Sequence, residues 1–451
     1  MSGQATVVRQ VGTPTPPPPP ERRGGIALGL KAVEMLGFRL ATLPLGFVIT
    51  LITSRFLLPV GRGEFTLALL TVTLASTLLG NGNAITHEVG RKRAPVQDIV
   101  GRGLLLDITL SIVAAAVVVP FAVLRGDLGS GALMMVGLPF LLVTQTVGGA
   151  LIAEGRLRLY NAVQLLDSGV IVGGLLVLVV WKDYGVPGAV AAWLAGQVVS
   201  AIVLMVGARD TWLPIPAQAI SFVRSKPIFT LGAKAGLVSL VSLINYRVEL
   251  FLLEFFDGLK AVGIYSVAVS LAELLWLLSW TIQTVVVDPA VNEEEDRAVS
   301  VVAQGVRHSL VLTFFSGLVL GAVGAFAVPF VFGDAFEGSV VPLLVLLPGV
   351  VIFSVRSPLS VYFSMRTGTM RYPLIVAGAS AIATGLLCVP FIPLWGATGA
   401  ALATTLGYGI GTALLVAMFL RVTRTSLGTM VPTARDFAAY RDLARKLLKR
   451  G

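Results

Sequence analysis

The heptapeptide GIYSVAV at 263–269 restates GEFTLAL at 63–69, an offset of 200 residues, and the reading of the fold starts from that echo. The register runs back without a gap through Phe56/Phe256 and Leu43/Leu243 to Leu40/Leu240. Two more matches follow in the same order. GRLR at 155–158 pairs with GTMR at 368–371, and GVPGAVAAWLAG at 185–196 pairs with GATGAALATTLG at 396–407. One such match could arise by chance between apolar helices. Three, in order and at nearly one offset, mark an internal duplication.

Composition says what is duplicated. The chain of 451 residues is 55% hydrophobic and 13% charged, with a mean hydropathy of +0.87. Soluble domains carry about 25% charged residues. Apolar runs of roughly 20 residues, enough for a helix to cross about 30 Å of hydrocarbon, recur throughout. The expected fold is all-α and polytopic, with twelve transmembrane helices in two six-helix bundles. An even number of helices per half gives both halves the same orientation. They are parallel repeats related by an axis along the membrane normal.

The expected boundaries are a Pro-rich tail over 1–24, a first lobe over 25–207, a linker over 208–231, a second lobe over 232–420 and a basic tail over 421–451. Pro16 to Pro20 favour polyproline II, and the first apolar run is too long for a cleaved signal. Residues 434–450 place Phe437, Tyr440, Leu443 and Leu447 at helical spacing among basic residues. That pattern suits an amphipathic helix on the inner leaflet or a frayed basic tail.

Placing the N-terminus inside puts 26 of the 34 Lys and Arg residues on the cytoplasmic side. Only Arg55, Arg62, Arg125, Lys182 and Lys260 fall outside. This bias sets both termini in the cytoplasm of a cell membrane. The net charge of +10 therefore faces anionic lipid rather than nucleic acid. The lone Cys388 cannot form an intrachain disulfide, and no ligand cluster calls for a metal or cofactor. Nothing in the sequence calls for an oligomer, so a monomer is expected.

Charges inside the spans are the candidate functional residues. Arg247 and Glu249 sit in NYRVELFLLEFF at 245–256. On a helix they point about 200° apart, so they cannot pair, and Arg247 must find partners on other helices, in water or on a ligand. Counted from Lys234, Arg247 lies about 20 Å deep, where an arginine costs at least about 2.5–3.5 kcal/mol. Its counterpart in the first half is Phe47, and that of Glu249 is Ile49. The scaffold does not need charge there, so Arg247 reads as a cavity-facing functional residue, against a buried structural ion pair. Arg39 (counterpart Ser239) and Arg356 (two residues before Pro358) divide between cavity wall and interhelical pair. Glu273, Asp107 and Asp167 read as interhelical hydrogen-bond partners. Arg55 reads as a lipid-phosphate ligand or a cap for its own helix.

The stretches SRFLLPVGRGEFTLAL (54–69), LINYRVELFLLEFFDGLKAVGIYSVAVSLAELL (243–275), VVVDPAVNEEED (285–296) and LWGATGAALATTLGYG resemble a known family. The chain resembles the O-antigen and capsule-type polysaccharide flippases of the multidrug/oligosaccharidyl-lipid/polysaccharide exporter superfamily over about residues 26–420. That resemblance implies a two-lobed, MATE-like transporter. It would move polyprenyl-pyrophosphate-linked oligosaccharide from the cytoplasmic to the outer leaflet for surface polysaccharide assembly. Family members often carry an Asp on the seventh helix after a basic residue, and here that position is Glu249. Lipid II flippases of the superfamily usually have two further helices that this chain lacks.

The chemistry fits the same substrate. Guanidinium forks bind phosphate oxygens bidentately and stay charged. Arg247, Arg39 and Arg356 are therefore the expected substrate contacts. Glu249 is expected to couple H+ or Na+ or to position Arg247. A cation-coupled multidrug exporter of the same fold is the alternative, although it would favour acidic cavity residues. A membrane glycosyltransferase or polymerase would need a large outer loop or a carboxylate/His constellation, and neither is present in the sequence. The expectation is a transporter, not an enzyme.

Overall fold

The computed structural model describes residues 23–125, 129–433 and 436. The tail expected over 1–24 lies outside these apart from its last two residues. The helix expected over 434–450 lies outside them apart from Asp436. The described residues form α1 (Arg23–Leu79), α2 (Gly82–Gly90), α3 (Val96–Arg125), α4 (Ser130–Met135), α5 (Leu138–Ala153), α6 (Leu157–Leu175) and α7 (Gly185–Gly207). A short linker helix, α8 (Arg209–Trp212), leads to α9 (Phe222–Ala272) and α10 (Trp276–Asn292). The chain ends with α11 (Glu295–Phe332), α12 (Val340–Phe353), α13 (Arg356–Val361) and α14 (Arg371–Thr423).

Nine helical segments among the described residues are long and apolar enough to cross a membrane. Three of them contain a residue whose backbone is not helical. These are Leu58 (φ 57°, ψ 175°), Gly258 (φ 81°, ψ −179°) and Gly396 (φ 53°, ψ −130°). Each break divides its segment in two. The breaks obey the sequence duplication. Leu58 and Gly258 are repeat partners, and Gly396 is the partner of Gly185, which also has positive φ (57°).

Apolar packing segregates by half. Residues between Ile52 and Trp193 build one buried cluster, and the second half builds another around Tyr265, Phe332, Phe336 and Leu343. Two exceptions are informative. Leu70 of α1 is buried in the second-half cluster. Ile228, at the start of α9, is buried with Ala84, Ile99, Val147 and Leu204 of the first half. The linker is also tied to that half. Arg156 donates to the Asp210 carboxylate at 2.7 Å, and Gln97 donates to the Asp210 carbonyl at 2.8 Å. The Arg156 hydrogen bond holds the Asp210 carboxyl below its ordinary range. Deeper in, Asp98 of α3 takes both Arg102 and Arg224. The second half's first helix thus begins docked on the first half and crosses to its own bundle only farther along.

Candidate functional site

Helices α1 and α9 meet along their length, and the contact is closest at two places. Near the Leu58 and Gly258 breaks the approach is reciprocal. A Cβ added at Gly63 would lie 2.0 Å from the Leu259 carbonyl oxygen, and one at Gly263 would lie 1.8 Å from that of Pro59. Gly63 and Gly263 are repeat partners, as are Pro59 and Leu259, so the pseudo-two-fold axis passes between these hairpins. Small residues allow such backbone contact where lipid supplies no hydrophobic drive. The second close approach is about 25 Å away along α1. There Gly236 of α9 faces the carbonyls of Thr77 and Leu78, and Gly232 faces the Asn81 side chain.

Between the two contacts lies a cavity of about 360 Å³. Thr50, Arg62, Thr66 and Thr73 line it from α1, and Arg247, Ser266 and Ser270 line it from α9. Arg247 also borders a second space of about 400 Å³, walled by Leu74, Leu78, Leu240, Ile244, Val248 and Phe251. Arg247 therefore lines both spaces, the first walled by hydroxyls and apolar side chains together and the second by apolar side chains. Glu273 holds it bidentately, with Nη1 to Oε1 at 2.8 Å and Nη2 to Oε2 at 2.9 Å. Both side chains keep about a quarter of their surface exposed. Arg247 thus lines the cavity and is ion-paired at the same time.

The carboxylate that positions Arg247 is Glu273, not Glu249. The physical reason is the angular offset along α9, which turns Glu249 away. Glu249 is 1% exposed, and its Oε2 has no hydrogen-bond partner among the described residues. Asn245, one turn earlier on the same face, likewise has an unpartnered Oδ1. The Glu249 carboxyl lies within electrostatic reach of Tyr265 and Tyr408, and the Tyr265 hydroxyl meets Thr404 Oγ1 at 3.1 Å.

Arg356 does not reach the cavity. It is 6% exposed and donates to Thr412 Oγ1 (2.9 Å), Ser380 Oγ (3.1 Å) and the Tyr408 carbonyl (2.9 Å). It lies over the Phe353 ring at 4.6 Å. Gly411 makes the room, since a Cβ there would sit 2.2 Å from its Nη2. Ser354 and Val355, between α12 and α13, keep right-handed helical backbone angles, and Pro358 falls in the first turn of α13, where its missing N–H is not needed. Arg356 is buried among α12, α13 and α14 rather than facing the first half. Arg39 lies in α1, and its side chain lies outside the described residues.

A residue counted with the outer loops takes the vacant part. Arg62 is 7% exposed and lines the cavity. Its Nε donates to Ser266 Oγ of the other half at 3.2 Å, and its Nη1 donates to Thr53 Oγ1. Among the described residues no carboxylate forms an ion pair with it. The repeat held the clue, because its counterpart is Val262, fully buried beside the hairpin. Arg55 donates to the Val331 carbonyl at 3.3 Å and so caps α11 rather than its own helix. Asp167 accepts from Gln197 (2.9 Å) and Ser200 (3.3 Å), an interhelical role as expected.

The family described as polysaccharide biosynthesis protein matches residues 35–293, more than half of the chain. The chain belongs to that polysaccharide biosynthesis family. Its fold is similar to that of the lipid II flippase MurJ in an inward closed conformation (TM-score 0.71, 14% identity), covering 88% of this chain and 89% of that one. It is also similar to an inward-facing multidrug resistance MATE transporter of the MOP superfamily (TM-score 0.68, 16% identity, 85% and 96% covered). A third likeness is to a MOP superfamily transporter from Pyrococcus furiosus described by a binding pocket of reversed polarity (TM-score 0.57, 16% identity, 87% and 95% covered). No curated protein matches the chain. The family member described here is thus an all-helical, multi-pass membrane protein of MurJ- and MATE-like fold.

Proposed function

We propose that the chain flips a polyprenyl-pyrophosphate-linked oligosaccharide from the cytoplasmic to the outer leaflet by alternating access. The observation that carries the reading is the position of Arg247, shared by a cavity that holds a second arginine and several hydroxyls and by a neighbouring apolar one. A lipid-linked diphosphate has that same division. Its head needs cations and hydroxyls, and its tail needs hydrocarbon. Arg62, buried without a carboxylate, supplies the unspent positive charge, and Arg247 presents a second guanidinium steadied by Glu273. In this reading the Gly63/Gly263 contact closes the outer side, and the Asn81/Gly232 contact closes the inner side. Both termini lie in the cytoplasm, the lobes keep the boundaries 25–207 and 232–420, and the monomer is the working unit. Glu249 with Asn245 takes the coupling H+ or Na+. Arg356 is assigned to holding the second bundle together.

The experiment is leaflet accessibility of a fluorescent polyprenyl-pyrophosphate glycan in proteoliposomes. Arg62→Ala and Arg247→Ala, at matched incorporation, are each expected to slow flipping at least about tenfold, the cost of about 1.4 kcal/mol. Wild-type rates in both variants would overturn the assignment. The alternative, a cation-coupled exporter of organic molecules, is favoured by the likeness to MATE transporters. An unpaired arginine in the chamber repels cationic drugs, so cationic dye efflux by the wild type is expected to be absent.

A further inference from the structure

A further cavity, of about 290 Å³, lies one helical turn from the arginine cavity. Thr77 lines it from α1, Asn83 and Thr86 from α2, Gln145 from α5, Tyr160 from α6 and Ser239 from α9. Among the described residues no charged side chain lines it. Thr73 of α1 and Leu243 of α9 belong to the arginine cavity. Thr77 and Ser239, four residues along those helices, belong to this one. The step is about 6 Å on both helices.

The amides and hydroxyls in this wall keep most of their hydrogen-bonding capacity unused. The side chains of Thr77, Asn83, Gln145 and Ser239 make no hydrogen bond among the described residues. The Tyr160 hydroxyl accepts from Gln164 Nε2 at 3.1 Å, which leaves its own proton to donate. Thr86 Oγ1 donates toward the Gly82 and Gly149 carbonyls at 2.9 and 3.0 Å, which leaves its lone pairs to accept. Donors and acceptors therefore surround one space, and each amide supplies both kinds. An ionised ligand would give up its hydration there and meet no counter-charge. A neutral ligand rich in hydroxyls would exchange hydrogen bonds with water for hydrogen bonds with the wall. Ile152 and the Tyr160 ring add apolar surface for the C–H face of a sugar ring.

Helix geometry says where such a ligand joins the lipid. Thr73 and Thr77 stand four residues apart and share a face of α1, as Ser239 and Leu243 share a face of α9. Leu74 and Leu78, with Leu240 and Ile244, are set one residue on, about 100° around each helix, and wall the apolar space. The same two helices thus show one face to the polar cavities and another to the apolar one, and Arg247 lines the arginine cavity and the apolar space together. We propose that the 290 Å³ cavity binds the sugar nearest the diphosphate and selects an uncharged one. The proposal rests on the transport reading above and names the chemistry of its head group. The volume is at the low end for small-molecule sites, so it takes the start of the glycan rather than the whole oligosaccharide.

The test is equilibrium binding to the purified full-length chain in detergent, with three probes. They are farnesyl diphosphate, its conjugate with one neutral hexose, and its conjugate with the corresponding uronic acid. The hexose conjugate is expected to bind at least about fivefold tighter than farnesyl diphosphate, and the uronic acid conjugate no tighter than farnesyl diphosphate. Thr77→Val and Ser239→Ala remove one hydroxyl each with little change of shape. The double variant is expected to lose the hexose gain and to keep wild-type affinity for farnesyl diphosphate. The proposal fails if the uronic acid conjugate binds as tightly as the hexose conjugate, or if the gain survives in the double variant. It fails equally if the double variant weakens farnesyl diphosphate as much as the hexose conjugate. Should farnesyl diphosphate not bind the wild type at all, the transport reading falls and takes the sugar site with it. Should it bind while the hexose adds nothing, the sugar site alone falls.

Discussion

The first half of the chain bends at Leu58 and the second at Gly258, and the two bends have nearly the same ψ (175° and −179°). The same pair of hairpins places Gly63 against Leu259 and Gly263 against Pro59. Backbone geometry and close contacts have therefore been kept through the duplication. Charge has not. The second half has Arg247 and Glu249 where the first has Phe47 and Ile49, and the first has Arg62 where the second has Val262. Each half contributes one arginine to the shared cavity, from non-equivalent positions. The lesson is that the symmetric part of the molecule is its hinge and seal, while the asymmetric part is its chemistry.

The sharpest way to break that comparison is at the seal. Gly63→Ala and Gly263→Ala each drive a methyl group into a carbonyl oxygen of the opposite hairpin. Backbone cannot rotate away as a side chain can, so the halves must separate. Each variant is expected to slow transport by more than about tenfold in the proteoliposome assay, since closure of that side is a required state. Because the contact is reciprocal, the double variant is expected to add little beyond either single one, a non-additivity typical of residues that share one interface. Unequal single effects, or full additivity, would mean that the two glycines do not seal one contact.

A smaller effect separates chemistry from scaffold. Arg356→Ala removes donors from Thr412, Ser380 and the Tyr408 carbonyl, all inside the second bundle. Leaving those groups unsatisfied is expected to cost about 2–4 kcal/mol of stability, read as a lower Tm. Arg62→Ala is expected to leave Tm within a degree or two while flipping slows. If Arg356→Ala keeps wild-type Tm and loses flipping instead, the arginine belongs with the substrate after all.

The sequence made the membrane fold and the duplication readable, because hydropathy and repeated small residues are local signals, but it did not single out Leu58 or Gly258 as hinges. It also singled out Arg247 as exceptional, since the first copy of the scaffold has Phe47 there. It did not show Arg356 turning inward, because a helix wheel cannot tell which neighbouring helix a buried side chain addresses. Arg62 was misplaced for a related reason. Beyond Leu58 the chain turns straight back into helix, so a residue that reads as loop is the first turn of a packed span. Glu273 could be named as a hydrogen-bond partner but not as the partner of Arg247, because pairing across helices depends on rotation that periodicity leaves open. Asp107 read as an interhelical hydrogen-bond partner, and it accepts from Asn81.

The smallest expected effect returns to the hinge. Leu58 adopts a backbone conformation that is essentially reserved for glycine, at a cost of about 1–3 kcal/mol. Its side chain is 58% exposed, so little packing holds it there. Leu58→Gly makes the first hinge chemically equal to the second. It should release the strain but add unfolded-chain entropy, for a net gain of about 1 kcal/mol and a slightly higher Tm. The reverse change, Gly258→Leu, is expected to lower Tm by a comparable amount. If Leu58→Gly is instead neutral or destabilising, the leucine is anchored by lipid rather than strained by the fold. The two hinges would then differ in kind and not only in residue.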